Sequence, residues 1–582
     1  MTAAIDFEAI PGNSHLVNFN EKKKDGDRQG KIVFIPTPSD DPDDPLNWTP
    51  LRKWTAVACV LVYTLGACIP TAAIYSVLPN IEANTTITLS ELNNGTGYMF
   101  LFLGIGCLVF QPLALQYGKR PVYLFSMLAT AMICVWPPYT KSNGEWIASK
   151  ILQGFVGSSM ESLPEISMSD LFFEHERSFA LSLYGLTLLC ASFLAPFVAG
   201  FISEGQGWEW VMWWCAIFGA VCFLFLFFFM EETNYDRKLK VDATTGEVIT
   251  LASRQQQLGS VFTNIDEVMG HNSKADQLGE KNESQSNAMD ASSHTDDYTE
   301  NVNIVNQTSN VEVVNSNYYA PAYHGTKTYW QKLSLFSGRR KKFLLQHYAF
   351  APFLMVRFPV VVWAGFLYGS SLVWFNVLNA TAALILGGSP YNFSSSIVGV
   401  AYLSPTTFSV ILFFMSGMCS DWLKVRIALW RGTGLSKPED RLWILLLYCI
   451  LGCFACILWG VGAYYEIHWF GLVFGMGLLG GCGIFAIASS ATYVVDTYKE
   501  LDTEAMVVVI LIRNCMSFAV SYGITDWVTD LGYKRCFISV AFLCLAANLT
   551  FLPMVFFGPW IRNRQKHMYW SMVDKYRKLG MH

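Results

Sequence analysis

Charged side chains are scarce in this chain. Lys, Arg, Asp and Glu together make up 15% of the 582 residues, whereas 52% of the residues are hydrophobic and 15% are aromatic. A typical soluble domain carries about 25% charged residues, so the composition excludes an ordinary soluble protein. The net charge of −5 says little about partners, because much of the acid lies in the N-terminal tail and a central polar stretch, and no nucleic-acid partner is expected.

Motifs of several catalytic and energy-coupling classes are missing as well. No Walker sequence is present, which excludes ATP as the energy source. The nine histidines fall in predicted tails, loops or span ends, so we expect no metal site inside the membrane. Most of the 15 cysteines lie in apolar stretches and predict no structural disulfide. With no catalytic cluster, we expect neither an enzyme nor a bound cofactor.

The chain instead contains apolar stretches long enough to cross a bilayer, in two sets of six. The first set lies near residues 54–78, 95–116, 120–139, 146–170, 179–202 and 209–231. The second set lies near residues 348–376, 397–419, 442–464, 469–494, 505–527 and 536–558. The polar stretch between the sets cannot bury enough apolar surface to fold. The predicted domains are a tail (1–53), a helical bundle (54–231), a largely disordered loop (232–345), a second bundle (346–558) and a tail (559–582).

Basic residues predict the orientation of the spans. The first 50 residues are polar and contain no signal-peptide pattern. Loops on the same side as the tails are rich in Lys and Arg, whereas the opposite loops contain only Lys141, Lys534 and Arg535. Since cytoplasmic loops carry the basic surplus, we expect both termini in the cytoplasm. Glycosylation sequons at Asn84 and Asn392 fall in loops on the opposite side.

Two carboxylates stand out because an ionisable residue at mid-membrane costs at least about 2.5 kcal/mol. Glu161 falls near mid-depth in span four, and Glu165 lies one helical turn nearer the cytoplasm. Two carboxylates this close in a low dielectric do not both ionise freely, so one can hold a proton until a cation displaces it. We therefore predict that both bind substrate or protons. The alternative for Glu165 is a partner for a lysine or a residue of an exposed vestibule.

Span eleven carries Arg513 and Asn514 near its middle. Arg513 either anchors an anionic substrate or pairs with an acid or with helix carbonyls. We favour pairing, a structural role that holds the second bundle together. Asn514 is assigned to the binding site. Aromatic faces beside carboxylates suit organic cations, although ordinary bilayer packing explains each such residue as well. The aromatic candidates are Tyr98, Tyr184, Trp363, Tyr368 and Tyr402.

Three motifs connect the chain with a known family. Residues 43–48 (DDPLNW) followed by Arg52–Trp54, residues 231–237 (EETNYDR) and residues 437–442 (KPEDRL) resemble the corresponding segments of fungal members of the major facilitator superfamily. The resemblance implies an all-α integral membrane protein with 12 transmembrane helices in two pseudo-symmetric six-helix bundles. Related halves of this kind place the substrate site at their interface.

Within that superfamily the sequence resembles the drug:proton antiporter branch. The loop between spans two and three keeps Gly118, Lys119 and Arg120 of the branch motif, but Leu115 stands at its acid position. The equivalent loop of the second half supplies an acid, Asp421. The resemblance implies a gating or structural role for these residues and for Lys150, Pro196 and Gly200, which occupy motif positions in spans four and five.

A narrower resemblance is to the yeast group that takes up histidinol and polyamines. It lies in residues 102–106 (FLGIG) and 167–175 (SMSDLFFEH), and Glu161 falls where that group has a glutamate. The resemblance implies a monomeric plasma-membrane carrier that imports organic cations such as spermidine or putrescine, driven by membrane potential, protons or both. Two alternatives remain: a proton-coupled exporter of drugs, and a non-transporting nutrient sensor.

Overall fold

The computed structural model describes residues 7–12, 14–15, 43–235, 328–335, 342–431 and 435–579. Within these ranges, nothing is described for the side chains of residues 14–15, 174–179, 421, 425, 428–429 and 435–436. Most of the predicted central loop therefore falls outside the described residues, as does the side chain of Asp421.

The first half contains eight helices: α1 (Pro50–Ala72), α2 (Leu78–Asn84), α3 (Leu89–Tyr117), α4 (Lys119–Ile133), α5 (Asn143–Gly157), α6 (Ser159–Leu171), α7 (Glu174–Gln206) and α8 (Trp208–Phe229). The second half follows the short helix α9 (Tyr329–Lys332) and contains α10 (Leu345–Met355), α11 (Pro359–Gly387), α12 (Ser395–Ala401), α13 (Leu403–Trp430), α14 (Leu445–Tyr464), α15 (Trp469–Thr497), α16 (Asp502–Leu549) and α17 (Phe551–Leu579). We call the side on which α1 begins the tail side, and the side on which α2 lies the distal side.

Ten helical stretches of the described residues are long and apolar enough to cross a membrane. The fourth predicted span is not among them because a turn at Ser158 divides it into α5 and α6. Spans eleven and twelve merge into one stretch, Lys499–Leu579, in which the non-helical backbone of Gly532 (φ 71°) separates two arms of α16. Allowing for these two cases, the structure contains the two sets of six spans predicted from the sequence.

The seventh span differs from the prediction. The sequence predicts a helix over 348–376, but α11 begins at Pro359 and continues to Gly387. Proline has no backbone N–H and is favoured in the first turn of a helix, so it separates α10 from α11. Arg357, which falls within the predicted range 348–376, lies exposed in this break.

The apolar core shows how the two halves meet. On the distal side one cluster of buried residues combines both halves, from Ala72 through Trp208 to Val373 and Cys544. On the tail side each half has its own cluster, one within Trp48–Met230 and one within Leu344–Tyr576. The halves are therefore closed together on the distal side and less fused on the tail side.

A short N-terminal segment packs against the second half, which the sequence does not predict. Trp570 Nε1 donates to the carbonyl of Ala9 at 2.9 Å, and Arg562 donates to the carbonyl of Pro11. Ser14–His15 (β1) pairs antiparallel with Leu435–Ser436 (β2). The tail is thus partly ordered by the bundle that lies farther along the chain.

Candidate functional site

The break between α5 and α6 positions Glu161. Pro164 follows three residues later and has no N–H to donate to the carbonyl four residues before it, that of Met160. The hydroxyl of Tyr184 donates to this carbonyl at 2.8 Å. Tyr184 thus satisfies the acceptor that the proline leaves unpaired, next to the predicted binding carboxylate.

Glycines bring the broken helix close to α3. A Cβ atom on Gly154 would lie 2.1 Å from the carbonyl oxygen of Met99, and one on Gly106 would lie 2.4 Å from the Ser158 hydroxyl. Cys107 donates from Sγ to the carbonyl of Ser158 at 3.3 Å. The glycine-containing motif of residues 102–106 is therefore used for packing beside the site.

Glu161 is bound by two residues of the other half. Arg513 of α16 is ion-paired with Glu161, and Asn514 Nδ2 donates to the same carboxylate oxygen at 3.0 Å. All three residues are buried. The Arg513 guanidinium also lies 4.8 Å from the centre of the Tyr368 ring. The predicted pairing of Arg513 with an acid is present, but it joins the two halves rather than stabilising the second half alone.

Glu165 lies one turn from Glu161 and is half-buried. It is within electrostatic range of Tyr184 and Tyr368. Open space adjoins this region, because a Cβ atom on Gly157 or Gly185 would meet nothing within 4 Å, although Gly157 is buried. The structure thus gathers Glu161 and Glu165 with Arg513, Asn514, Tyr184 and Tyr368, and leaves open space at two glycines of the first half.

The other predicted aromatic residues make their contacts elsewhere. Trp363 donates from Nε1 to Thr550 at 3.0 Å and packs edge-on against Tyr493. Tyr98 packs against Phe518, with ring centres 5.2 Å apart. Tyr402 is fully buried in the distal core shared by the two halves. The structure does not bring these three residues to Glu161.

The predicted gating loop binds groups of the first half through its basic residues and packs against the second half through Leu115. Gly118 has φ 115°, a backbone conformation that favours glycine. Lys119 is ion-paired with Asp170 at the end of α6, and Arg120 donates to the carbonyl of Phe227 at 2.7 Å. Leu115, which stands at the motif's acid position, packs against the core of the second half.

The end-of-bundle motif reinforces the same loop. The Glu232 carboxylate accepts hydrogen bonds from the backbone N–H groups of Lys119 and Arg120, both at 3.0 Å. Burial raises the pKa of Glu232, and these backbone donors act in the opposite direction. Arg52 donates from Nε to Glu231 at 2.8 Å. The family motifs at both ends of the first half therefore meet on the tail side.

The remaining predicted structural residues lie at helix crossings. Lys150 is buried, donates to Gln153 at 2.9 Å and lies 4.8 Å from the centre of the Trp146 ring. The carbonyl of Pro196 accepts from the Ser76 hydroxyl at 2.8 Å. A Cβ atom on Gly200 would lie 2.3 Å from the carbonyl oxygen of Ser395. Gly200 thus allows α7 of the first half to contact the start of α12 in the second.

One buried ion pair was missed by sequence reasoning. Arg562 donates from Nη2 to Glu439 at 2.7 Å and from Nε to the other carboxylate oxygen at 2.8 Å, and both side chains are buried. The sequence assigns Arg562 to a basic cytoplasmic tail. The sequence singles out one partner of this pair, because Glu439 belongs to a family motif. The predicted glycosylation residues Asn84 and Asn392 are exposed on the distal side.

Comparison with known proteins adds to this geometry. A family model described as Major Facilitator Superfamily matches residues 60–521. Protein HOL1 of Saccharomyces cerevisiae is 26% identical, and the match covers 93% of this chain and 92% of that protein. Polyamine transporter 4 of the same yeast is 29% identical over 202 residues, which are 34% of this chain and 29% of that protein.

Among solved structures, the fold is similar to that of the xylose transporter XylE from E. coli in a partially occluded inward-open conformation. The TM-score is 0.51 at 12% identity, and the match covers 86% of this chain and 98% of that one. At this identity the likeness supports the fold only.

Proposed function

The chain belongs to the major facilitator superfamily, and we propose that as one of its transporters it moves polyamine-like organic cations across the membrane by alternating access. The observation that carries this proposal is the buried carboxylate of Glu161 at the interface of the two halves, paired with Arg513 from the opposite half. Breaking a buried ion pair by removing one partner costs roughly 3–5 kcal/mol. A substrate that takes the place of Arg513 must therefore supply a positive charge.

Arg513 then competes with the substrate for the Glu161 carboxylate. When the halves separate on the distal side, Arg513 moves away from Glu161 and leaves a carboxylate that an ammonium group of the substrate can pair with. When the distal side closes, as in this structure, Arg513 returns to Glu161 and displaces the ammonium group. The ion pair thereby favours release of the cation towards the tail side.

Glu165 and the aromatic residues beside it would complete the site. Glu165 lies one turn from Glu161 towards the tail side, next to open space, so it can bind a second amine of the same substrate or hold a proton. Tyr184 and Tyr368 provide aromatic surface near Glu165. A molecule with several amines separated by methylene groups fits two carboxylates and apolar walls better than a compact monovalent cation.

The positive charge of the substrate supports uptake as the direction of transport and the membrane potential as its driving force. Each positive charge that enters a cell gains about 2.3 kcal/mol per 100 mV, so a trivalent polyamine gains roughly 7 kcal/mol. We propose uptake through the plasma membrane by a monomer, with the tail side in the cytoplasm. The positive-inside distribution supports this orientation, and the match to Polyamine transporter 4, although partial, supports the substrate class.

Counterflow in liposomes tests this proposal. The purified full-length protein is reconstituted with unlabelled spermidine inside, and accumulation of labelled external spermidine is measured, with unlabelled putrescine, a bulky drug cation and xylose as competitors. We expect accumulation that putrescine inhibits and xylose does not. No counterflow by a correctly folded protein would contradict the proposal, and inhibition by the drug cation alone would favour the exporter.

A further inference from the structure

A cavity on the distal side lies apart from the site around Glu161. Its volume is about 390 Å³, and it is lined by residues of both halves, from Glu82 and Leu89 to Thr381, Thr525 and Tyr533. Spermidine-like molecules are small enough to enter a space of this size, which lies within the range of small-ligand pockets. The cavity is therefore large enough to hold the substrate class proposed above.

The lining has the chemistry of an amine site. Glu82 is its carboxylate, and no Lys, Arg or His is among the residues that line it. Hydroxyl groups of Thr525, Thr529 and Tyr533 line the cavity together with the apolar side chains of Leu384 and Val528. A chain in which amines are separated by methylene groups has parts that suit both kinds of surface. An anionic ligand would find no positive partner among the residues that line the cavity.

A smaller pocket continues the cavity into the protein. Ala380 and Ile524 line both spaces, and the smaller pocket, of about 10 Å³, is also lined by Asn93, Asn376 and Ser521. Asn376 is only 6% exposed, and its amide nitrogen has no hydrogen-bond partner in the part of the chain that the structure describes. A buried polar atom without a partner is rare and calls for an explanation. This nitrogen is a donor, so a water molecule in the pocket would provide the missing acceptor, whereas an ammonium group, which only donates, would not.

One polar seam runs from this pocket to Glu161. Along α16, Asn514, Ser517, Ser521, Thr525 and Thr529 recur every three or four residues and so share one helix face. The seam faces α3, where Asn93 donates to Thr525 at 3.0 Å and a Cβ atom on Gly97 would lie 3.3 Å from Ser521 Cβ. At 1.5 Å per residue the seam is about 22 Å long. It is closed in this structure and opens only if α3 and α16 separate.

We propose that the distal cavity is a second cation-binding site, in which Glu82 holds a polyamine-like substrate before the seam opens towards Glu161. This inference rests on the proposed function, because it assumes the same substrate class. Binding at the distal cavity does not require the Glu161 carboxylate, so the two sites can be separated by mutation.

The test measures equilibrium binding of labelled spermidine to the full-length protein with Glu161→Gln. We expect residual binding with a Kd about ten-fold weaker than that of the wild type, lost when Glu82→Gln is added. Glu91→Gln, which removes a nearby distal carboxylate outside the cavity, should leave the residual binding intact. No residual binding, or equal loss with Glu82→Gln and Glu91→Gln, would overturn the inference.

Two further experiments distinguish a folding defect from a failure of the proposed function. If Glu161→Gln does not yield folded protein, the double variant Glu161→Gln, Arg513→Gln replaces it, because that variant removes both buried charges. Counterflow by the wild type tests the proposed function. Wild-type binding without counterflow would contradict transport and still leave the distal site open to the same binding test, whereas no wild-type binding would overturn both proposals.

Discussion

Arg513 in α16 is ion-paired with Glu161 in α6, so a buried charge pair joins the two halves at the level of the broken helix. Asn514 adds a hydrogen bond to the same carboxylate. The contact is made while the distal side is closed by a core that both halves share. Its position links the charge of the site with the conformation of the carrier.

Removing Arg513, the proposed competitor for Glu161, should lower the KM for spermidine, whereas a simple loss of binding would raise it. Arg513→Gln leaves Glu161 available to the cation in both conformations, so we expect a lower KM for spermidine and a lower kcat. Initial-rate uptake gives both constants. Arg535→Gln, which changes an exposed arginine of the same helix, is the matched control. A raised KM in Arg513→Gln would contradict the competitor role.

The bond between Tyr184 and Met160 can be tested by a double-mutant cycle. Tyr184→Phe leaves the Met160 carbonyl unsatisfied, and a buried unsatisfied acceptor costs about 1–3 kcal/mol. Pro164→Ala restores an N–H that can donate to that carbonyl, so it should offset most of the loss. Thermal unfolding in detergent gives the four Tm values of the cycle. Additive losses would mean that the hydroxyl does not compensate for the proline.

Much of the fold was predictable because it depends on length and hydropathy. The two sets of six apolar stretches identify the bundles, although the helix of the seventh span begins at Pro359 and ends at Gly387, each 11 residues later than predicted. Glu161 was identifiable because a carboxylate in an apolar stretch is costly. Its partner was harder to assign, because Arg513 lies 352 residues away in sequence and only the packing of α3 against α16 brings them together.

Other contacts depend on tertiary structure and cannot be predicted from residue type. Arg562 belongs by sequence to a basic tail, yet the N-terminal segment and Glu439 bury it. Aromatic residues occur throughout an apolar chain, so their type does not distinguish Tyr368, which lies beside Arg513, from Tyr98 or Tyr402. The distal cavity could not be predicted from the sequence, because nothing in the sequence distinguishes the threonines that line it from other threonines of the chain.

Closure of the two halves on the distal side should depend on Gly200. Alanine at Gly200 would place its Cβ atom against the backbone of Ser395, and backbone cannot move aside as a flexible side chain can. We expect Gly200→Ala to lower kcat for uptake at least about ten-fold, equivalent to roughly 1.4 kcal/mol in the barrier to closure.

The control for this variant lies on the same helix. A Cβ atom on Gly205 would meet nothing within 4 Å, so Gly205→Ala should transport like the wild type. If both variants lose activity equally, or if Gly200→Ala is fully active, the contact between α7 and α12 is not the distal gate.

Orientation can be tested through the exposed sequons. If the distal side faces away from the cytoplasm, Asn84 and Asn392 are accessible to the glycosylation machinery. We expect treatment with an endoglycosidase to increase the electrophoretic mobility of the wild type, and Asn84→Gln with Asn392→Gln to abolish that change. A mobility change that persists in the double variant would place the glycan at another asparagine and contradict the assignment.

The most direct test of the account is uptake of labelled spermidine by cells that lack their own polyamine carriers. Wild type is compared with Glu161→Gln and with Glu145→Gln, which removes a carboxylate at the distal start of α5. We predict saturable uptake by the wild type and by Glu145→Gln, and at least about a hundred-fold lower kcat/KM for Glu161→Gln, equivalent to about 2.8 kcal/mol. Uptake by Glu161→Gln at the wild-type rate would contradict the claim that this buried carboxylate binds the cation.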